Sequence, residues 1–195
     1  MDPYAILEAY LNKKAHFSKE ETSIFLEAFE LKKLKKRQFI IQPNFVANHR
    51  NFVVEGSLRA YIVSDNGTNH TIQLAIKDWW ISDYNSYIYQ QPATMFVIAM
   101  EDSVVLQISY EKEKELKASH YAFETFFREM AERSAAYMQR RIISNLVLDA
   151  EARYVHFLET YPDIVATIPQ YALASFLGMS TEFLSRIRSK RSKKN

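Results

Sequence analysis

A chain of 195 residues with 48% hydrophobic and 25% charged side chains has the composition of a globular protein, large enough for one big domain or two modest ones. The absence of cysteine excludes disulfides, thiolate zinc sites and cysteine-held iron–sulfur clusters. No apolar run approaches the roughly 18 residues of a bilayer span, and the N-terminus MDPYAILEAYL lacks the basic region of a secretion signal. A cytoplasmic protein without a membrane partner is expected.

The net charge of +2 is unevenly spread. Residues 164–195 hold six Lys/Arg against Glu182 alone, a surplus of five, while the preceding segment holds 19 against 22 Asp/Glu. A basic end on a mildly acidic body is the footprint of a nucleic-acid module joined to something else. The bland alternative is that SKRSKKN is a frayed, solubilising tail.

Residues 1–36 read as helical. Asp2-Pro3 opens a first amphipathic stretch through Tyr10 and Leu11, and Ser18-x-x-Glu21 is a capping-box pattern ahead of Ile24, Phe25, Ala28 and Phe29. The run Lys32-Lys33-Leu34-Lys35-Lys36-Arg37 could touch nucleic acid, but charge runs usually face water, so a solvated edge or turn leading into a sheet is preferred.

From Phe39 to Ser109 the character changes. Residues 39–42, 51–54, 58–63, 70–75, 96–100 and 104–108 are rich in β-branched and aromatic side chains, with turn signals between them. Asp65-Asn66-Gly67 is the best hairpin signal. Closely spaced strands with hairpin turns predict an antiparallel barrel or jelly roll.

Residues 111–117 read as a short helix and 121–148 as a long one. Phe123, Phe127, Met130, Ser134 and Tyr137 follow in steps of four and three, a narrow coiled-coil-like seam, and Phe126, Ala131 and Met138 widen the stripe. The seam predicts pairing of two protomers; the competing reading is packing within one chain. A further helix, 149–161, stops at Pro162.

Residues 167–190, TIPQYALASFLGMSTEFLSRIRSK, read as two short helices joined by a tight turn. Thr167 and Pro169 suit a helix start, Gly178 supplies the left-handed residue that ends it, and Ser180 caps the next helix. Leu173, Leu177, Met179, Leu184 and Ile187 close a small core, with Ala174 allowing close approach. That leaves a polar face for reading base edges, arginine on guanine, glutamate on cytosine, threonine or serine on either. Order, spacing and chemistry are those of a helix-turn-helix; an ordinary helical hairpin with a solvated face is the plainer alternative.

The order of roll, long helix and bihelical motif resembles the Crp/Fnr family of bacterial transcription regulators over nearly the whole chain. FVVEGSLRAYIVSDNGTNHTIQLA in the roll, AEARYVHFLETYPDI beyond the long helix and IPQYALASFLGMSTEFLSRIR carry the likeness. The resemblance implies an α+β chain. Residues 1–120 would form a cyclic-nucleotide-binding-like sensor, an antiparallel double-stranded β-helix or jelly roll flanked by helices. Residues 121–148 would form a dimerisation helix, and 149–195 a helix-turn-helix DNA-binding domain.

By that resemblance Thr181, Glu182 and Arg186 take base-reading positions, Ser180 meets a phosphate, and Ser185, Arg188 and Lys190 assist. Phe123, Phe127, Met130, Ser134 and Tyr137 would line the dimer interface. The implied partners are double-stranded DNA, a second copy, an unidentified small-molecule effector and RNA polymerase; no cofactor or metal is implied. Relatives with a β-hairpin wing have more chain than Pro162 to Thr167 allows, so fewer phosphate contacts are expected, partly offset by Arg191, Lys193 and Lys194.

The sensor departs from the pattern. Cyclic-AMP-binding members place a glycine-glutamate-leucine turn at the ribose and an arginine-serine pair at the cyclic phosphate. Here Ser82-Asp83-Tyr84 and Ala93-Thr94 stand at those places. Asp83 and Thr94 could keep polar roles, but Ala93 cannot replace a cation. A buried phosphate without its charge partner loses several kcal/mol, so no cyclic-AMP response is expected. Trp79, Trp80, Tyr84 and Tyr87 could line a different pocket or simply be core. With only Gly56 and Gly67 in the β region, some turns must be built without glycine.

A cupin-type enzyme would share the roll, yet His49 and His70 each stand alone, without the neighbouring ligands a metal needs. No phosphate-cradling glycine loop or nucleophile elbow occurs. His16, His120 and His156 fall on expected helices. Catalysis is therefore not expected. A haem-based gas sensor and a receptor module that binds only protein are the remaining alternatives.

Overall fold

The computed structural model describes residues 2–192; the tail contacts expected from Lys193 and Lys194 lie outside the described residues. Two helices open the chain, α1 (Pro3–Lys14) and α2 (Lys19–Glu27). Asp2 caps α1 by accepting the Tyr4 N–H, and Pro3 occupies the first turn, where a missing N–H costs nothing. At α2 the expected capping box is complete: the Glu21 N–H donates to Ser18 Oγ (3.1 Å) and the Ser18 N–H to Glu21 Oε2 (2.7 Å).

The helical reading of residues 1–36 fails at its end, because Glu30–Leu34 forms strand β1. β1 lies at a sheet edge with every side chain but Leu34 exposed, so no alternation betrays it. Lysines suit such an edge, since they discourage pairing with a further strand. Lys35 Nζ and the Lys36 N–H both reach the Asp102 carboxylate at 2.9 Å, which ties the basic run into a turn.

The remaining strands are β2 (Phe39–Ile41), β3 (His49–Glu55), β4 (Leu58–Val63), β5 (Asn69–Ala75), β6 (Trp80–Ile81), β7 (Phe96–Ala99) and β8 (Ser103–Ser109). They form two antiparallel four-stranded sheets, ordered β1-β8-β3-β6 and β2-β7-β4-β5. Six of the eight fall where the alternation placed them. β6 has only two residues, too few to show a period, and a third helix, α3 (Tyr84–Tyr89), follows it.

The β4–β5 hairpin turns at Asp65-Asn66-Gly67 as expected. Gly67 is left-handed (φ 80°), and Asn66 Oδ1 accepts both the Ser64 hydroxyl and the Thr68 N–H. Gly56 (φ 85°) is equally constrained, because a Cβ there would lie 2.2 Å from Ser103 Oγ. The other left-handed corners of the roll fall on Arg37, Asn44, Asp78 and Gln90. Turns rebuilt without glycine are the consequence expected of its scarcity.

Three apolar layers hold the chain. Side chains of β3 and β8 alternate between two of them: Val53 and Val105 point between the sheets, with Leu58, Ala60 and Val97, while Phe52 and Leu106 point outward. The outward layer is closed by α1, α2 and the first turns of α5 (Tyr121–Val147). There Phe25 meets Phe29, Phe123, Phe126 and Phe127 with ring centroids 5.2–5.7 Å apart.

The third layer joins the outer face of the second sheet to the C-terminal helices α6 (Ala150–Thr160), α7 (Pro162–Thr167), α8 (Gln170–Phe176) and α9 (Thr181–Ser192). Pro162 does end α6, but it also opens α7, where its fixed φ suits the first turn. α8 begins after Pro169 rather than at Thr167, whose hydroxyl is spent on the Asp163 carbonyl. A helix α4 (Tyr110–Ser119) links roll and α5. Among the described residues no helix is long and apolar enough to cross a membrane.

Candidate nucleic-acid interface and effector corner

α8 ends in a Schellman turn. Gly178 is left-handed (φ 69°), the Met179 N–H reaches back to the Ala174 carbonyl (3.0 Å), and the Gly178 N–H reaches the Ser175 carbonyl (3.3 Å). Ser180 then caps α9, its hydroxyl accepting the Phe183 N–H (3.1 Å). Leu184 and Ile187 are buried against Leu173, Ala174 and Leu177, which fixes the rotation of α9 about its axis. Glu182, Ser185, Arg186 and Arg188 consequently face water, and Thr181 is half-buried at the first turn.

Two contacts steady this surface. Gln170 Nε2 donates to the Thr181 carbonyl (3.2 Å), and Lys190 Nζ lies 3.3 Å from Glu151 Oε2 on α6. The Glu182 carboxyl is held below the usual glutamate range, first by backbone N–H donation at the start of α9, then by the Ser180 hydroxyl and by Arg186. Arg186 lies 5.4 Å over the Phe183 ring. The seven residues expected to touch DNA thus lie on one short helix and its cap, most of them exposed.

The corner expected to hold an effector, at Asp83 and Thr94, is built in the opposite way. Asp83 is fully buried at the start of α3, and its carboxylate accepts three backbone N–H groups: Ser86 (3.1 Å), Thr94 (2.9 Å) and Met95 (3.2 Å). Asp83 and Thr94 are brought together as expected, but through the Thr94 backbone, while its side chain faces outward. Ser82 Oγ donates to the His49 carbonyl (2.8 Å), and Ala93 is buried.

Behind this corner lies a buried charge cluster that the sequence did not announce. Arg50 Nε is 2.8 Å from Glu113 Oε2, Lys117 Nζ is 2.7 Å from Glu113 Oε1, and the Tyr87 hydroxyl donates to Glu113 Oε2 (2.9 Å). Burial, reinforced by Glu113, pushes the Tyr87 phenol far up.

Trp79, Trp80, Tyr84 and Tyr87 do not form one aromatic box. Trp79 packs on Tyr161, Trp80 on Tyr10 and Phe52, and the two tyrosines on Arg50. A cavity of about 240 Å³ opens instead beside β2 and the start of β3, lined in part by Ile41, Ala47, His49, Asn51 and Gln107. Burial and then Lys32 lower the His49 pKa there.

The expected dimer seam needs correction. Phe123 and Phe127 are 0% and 1% exposed in the core of their own roll, Met130 packs on the same cluster, and Tyr137 packs on Tyr161. Only Ser134 faces water. A seven-residue period marks the buried face of a helix without saying whose surface buries it. Further along α5 the exposed apolar side chains include Met138 at 39%, Ile142 at 60% and Leu146 at 80%, with Ile143 and Val147 beside them.

Residues 31–120 match the family model of the cyclic nucleotide-binding domain. No curated protein sequence matches the chain. Among solved structures, the chain is similar to FixK2 from Bradyrhizobium japonicum (TM-score 0.74, 14% identity, 85% of each chain covered). It is also similar to a CooA mutant from Carboxydothermus hydrogenoformans (0.69, 17%, 97% of this chain and 84% of that one). A third likeness is to the c-di-GMP responsive global regulator CLP of Xanthomonas campestris (0.64, 16%, 91% and 93%). At such identities these likenesses show a shared fold.

Proposed function

We propose that this chain is a homodimeric, sequence-specific DNA-binding transcription regulator. Residues 1–120 serve as the sensor roll, 121–148 as the dimerisation helix and 149–195 as a helix-turn-helix domain. The observation that carries this reading is the polar stripe Glu182, Ser185 and Arg186, left to water on a helix whose opposite face is pinned by Leu184 and Ile187. A rigid helix with polar side chains exposed along one face is what major-groove readout requires.

In this reading Arg186 takes guanine, Glu182 takes cytosine, and Thr181 and Ser185 take either base or a thymine methyl. Ser180 meets a phosphate, and Arg188 and Lys190 add charge. Lys190 exchanges its Glu151 partner for the backbone, at little cost for an exposed pair. RNA polymerase is the partner that the Crp/Fnr resemblance adds.

Dimerisation is assigned to Met138, Ile142 and Leu146, four residues apart and exposed along the second half of α5. The roll is assigned no cyclic-AMP response, because Ala93 offers no cation and Asp83 already holds the backbone donors of its corner. Any other effector would act by binding one dimer arrangement better than another.

Selection of bound duplexes from a random pool tests the reading. A two-fold symmetric site with half-sites about one helical turn apart is expected. Recovery of no sequence above background would refute it.

A further inference from the structure

β5 is the last strand of its sheet, so one edge of its backbone has no neighbouring strand. Such an edge normally exposes alternate N–H and C=O groups to water or to another chain. Here two side chains from outside the sheet take them. Ser175 on α8 uses one hydroxyl twice, accepting the Thr71 N–H (2.9 Å) and donating to the Asn69 carbonyl (2.9 Å). That is the work one residue of an added strand would do with its own N–H and C=O.

Arg141 on α5 completes the seal. Its guanidinium donates to the carbonyls of Thr71 (3.1 Å), Ile72 and Phe176 (3.1 Å) and lies 4.0 Å over the Phe176 ring. Ile72 is the extra residue of a β-bulge, since Tyr61 pairs with Thr71 and Ala60 with Gln73. A bulged residue drops out of the ladder, which frees its carbonyl to turn toward the arginine. The Phe176 carbonyl is one of the unpaired acceptors at the end of α8. One side chain therefore joins the long helix, the sheet edge and the bihelical unit.

We propose that Arg141 and Ser175 form a latch on the bulged edge of β5 that fixes where the two-helix unit sits on the roll. The latch orients the unit without covering it, because Glu182, Ser185 and Arg186 all remain exposed. Among the described residues Arg141 has no carboxylate partner, so its partly buried charge is held by carbonyl dipoles and the face of the Phe176 ring. Its consequence for DNA rests on the function proposed above: in a dimer the latch sets the separation of the two α9 helices.

Amide hydrogen exchange on the full chain, followed residue by residue by NMR, tests the latch without DNA. In Ser175→Ala and in Arg141→Met the Thr71 amide should exchange about tenfold faster, with Val97 and the rest of the paired sheet unchanged. Ser175→Thr, which keeps the hydroxyl, should hold Thr71 near its original rate. Unchanged Thr71 protection in both disruptive variants would overturn the proposal. So would equal acceleration throughout the roll, which would make the contact part of one common core. With duplexes, the double variant should tolerate changes in half-site spacing that the parent rejects. A protein that responds at Thr71 but binds no duplex would keep the latch and lose the regulator.

Discussion

Two polar regions of this chain use the same kinds of side chain to opposite ends. Around α3, Asp83, Arg50 and Glu113 are buried, and their charges are spent on backbone N–H groups, a lysine and each other. Along α9, Glu182 and Arg186 lie in water on a helix held rigid from behind. Polar groups satisfied internally build a fold, whereas groups left unspent on a rigid surface are available to a partner. By this measure the Asp83 corner spends its polar groups on the fold, while the exposed face of α9 is the surface that the proposed function uses.

The comparison sharpens most at Glu113. Removing it in Glu113→Ala strands Arg50 and Lys117 without their counter-ion, which should cost about 3–5 kcal/mol in urea unfolding. Arg50→Met combined with Glu113→Leu should recover much of that loss, because a well-packed apolar pair replaces the charges. A smaller effect is expected at the exposed end of α5. Leu146→Asp should weaken self-association by about 1.5–3 kcal/mol per buried side chain, seen by sedimentation, and leave the unfolding of the isolated protomer unaltered.

Asp83→Ala should destabilise the roll by about 1–2 kcal/mol through loss of the α3 cap and its partners. Calorimetry with cyclic AMP should stay silent in both parent and variant. The smallest effect is electrostatic. The Glu21 carboxyl is held below the ordinary glutamate range by the Ser18 N–H and then by the Ser18 hydroxyl. Its contribution to folding is complete above the unfolded-state pKa and disappears as the pH falls through the lower folded value. Ser18→Ala should move the Glu21 titration midpoint, followed by NMR, back up.

What could be read in the chain beforehand follows from where the physics is local. β4 and the Asn66-Gly67 turn are legible because alternation and turn chemistry occupy adjacent residues. So is the α8–α9 junction, where Gly178 and Ser180 each do one short-range job. β1 escapes notice because an edge of lysines has no apolar period, and α3 because its six residues are too few to show one. The seam at Phe123 and Phe127 is a real stripe with its partner misassigned, since helical spacing is blind to chain identity. Ser175 and Arg141 are beyond sequence reasoning altogether. Their partners on β5 lie 69 to 106 residues away, and one of them is turned toward the arginine by the bulge at Ile72.

One titration series shows whether the exposed face of α9 reads base sequence, as proposed. Fluorescence anisotropy would compare the parent chain with Arg186→Ala on the selected duplex and on its single-base-pair variants at fixed salt. The variant should fold as before and lose about 1–3 kcal/mol of discrimination at one base pair of each half-site, with the other positions unaffected. Equal discrimination at every position by both proteins would contradict this reading.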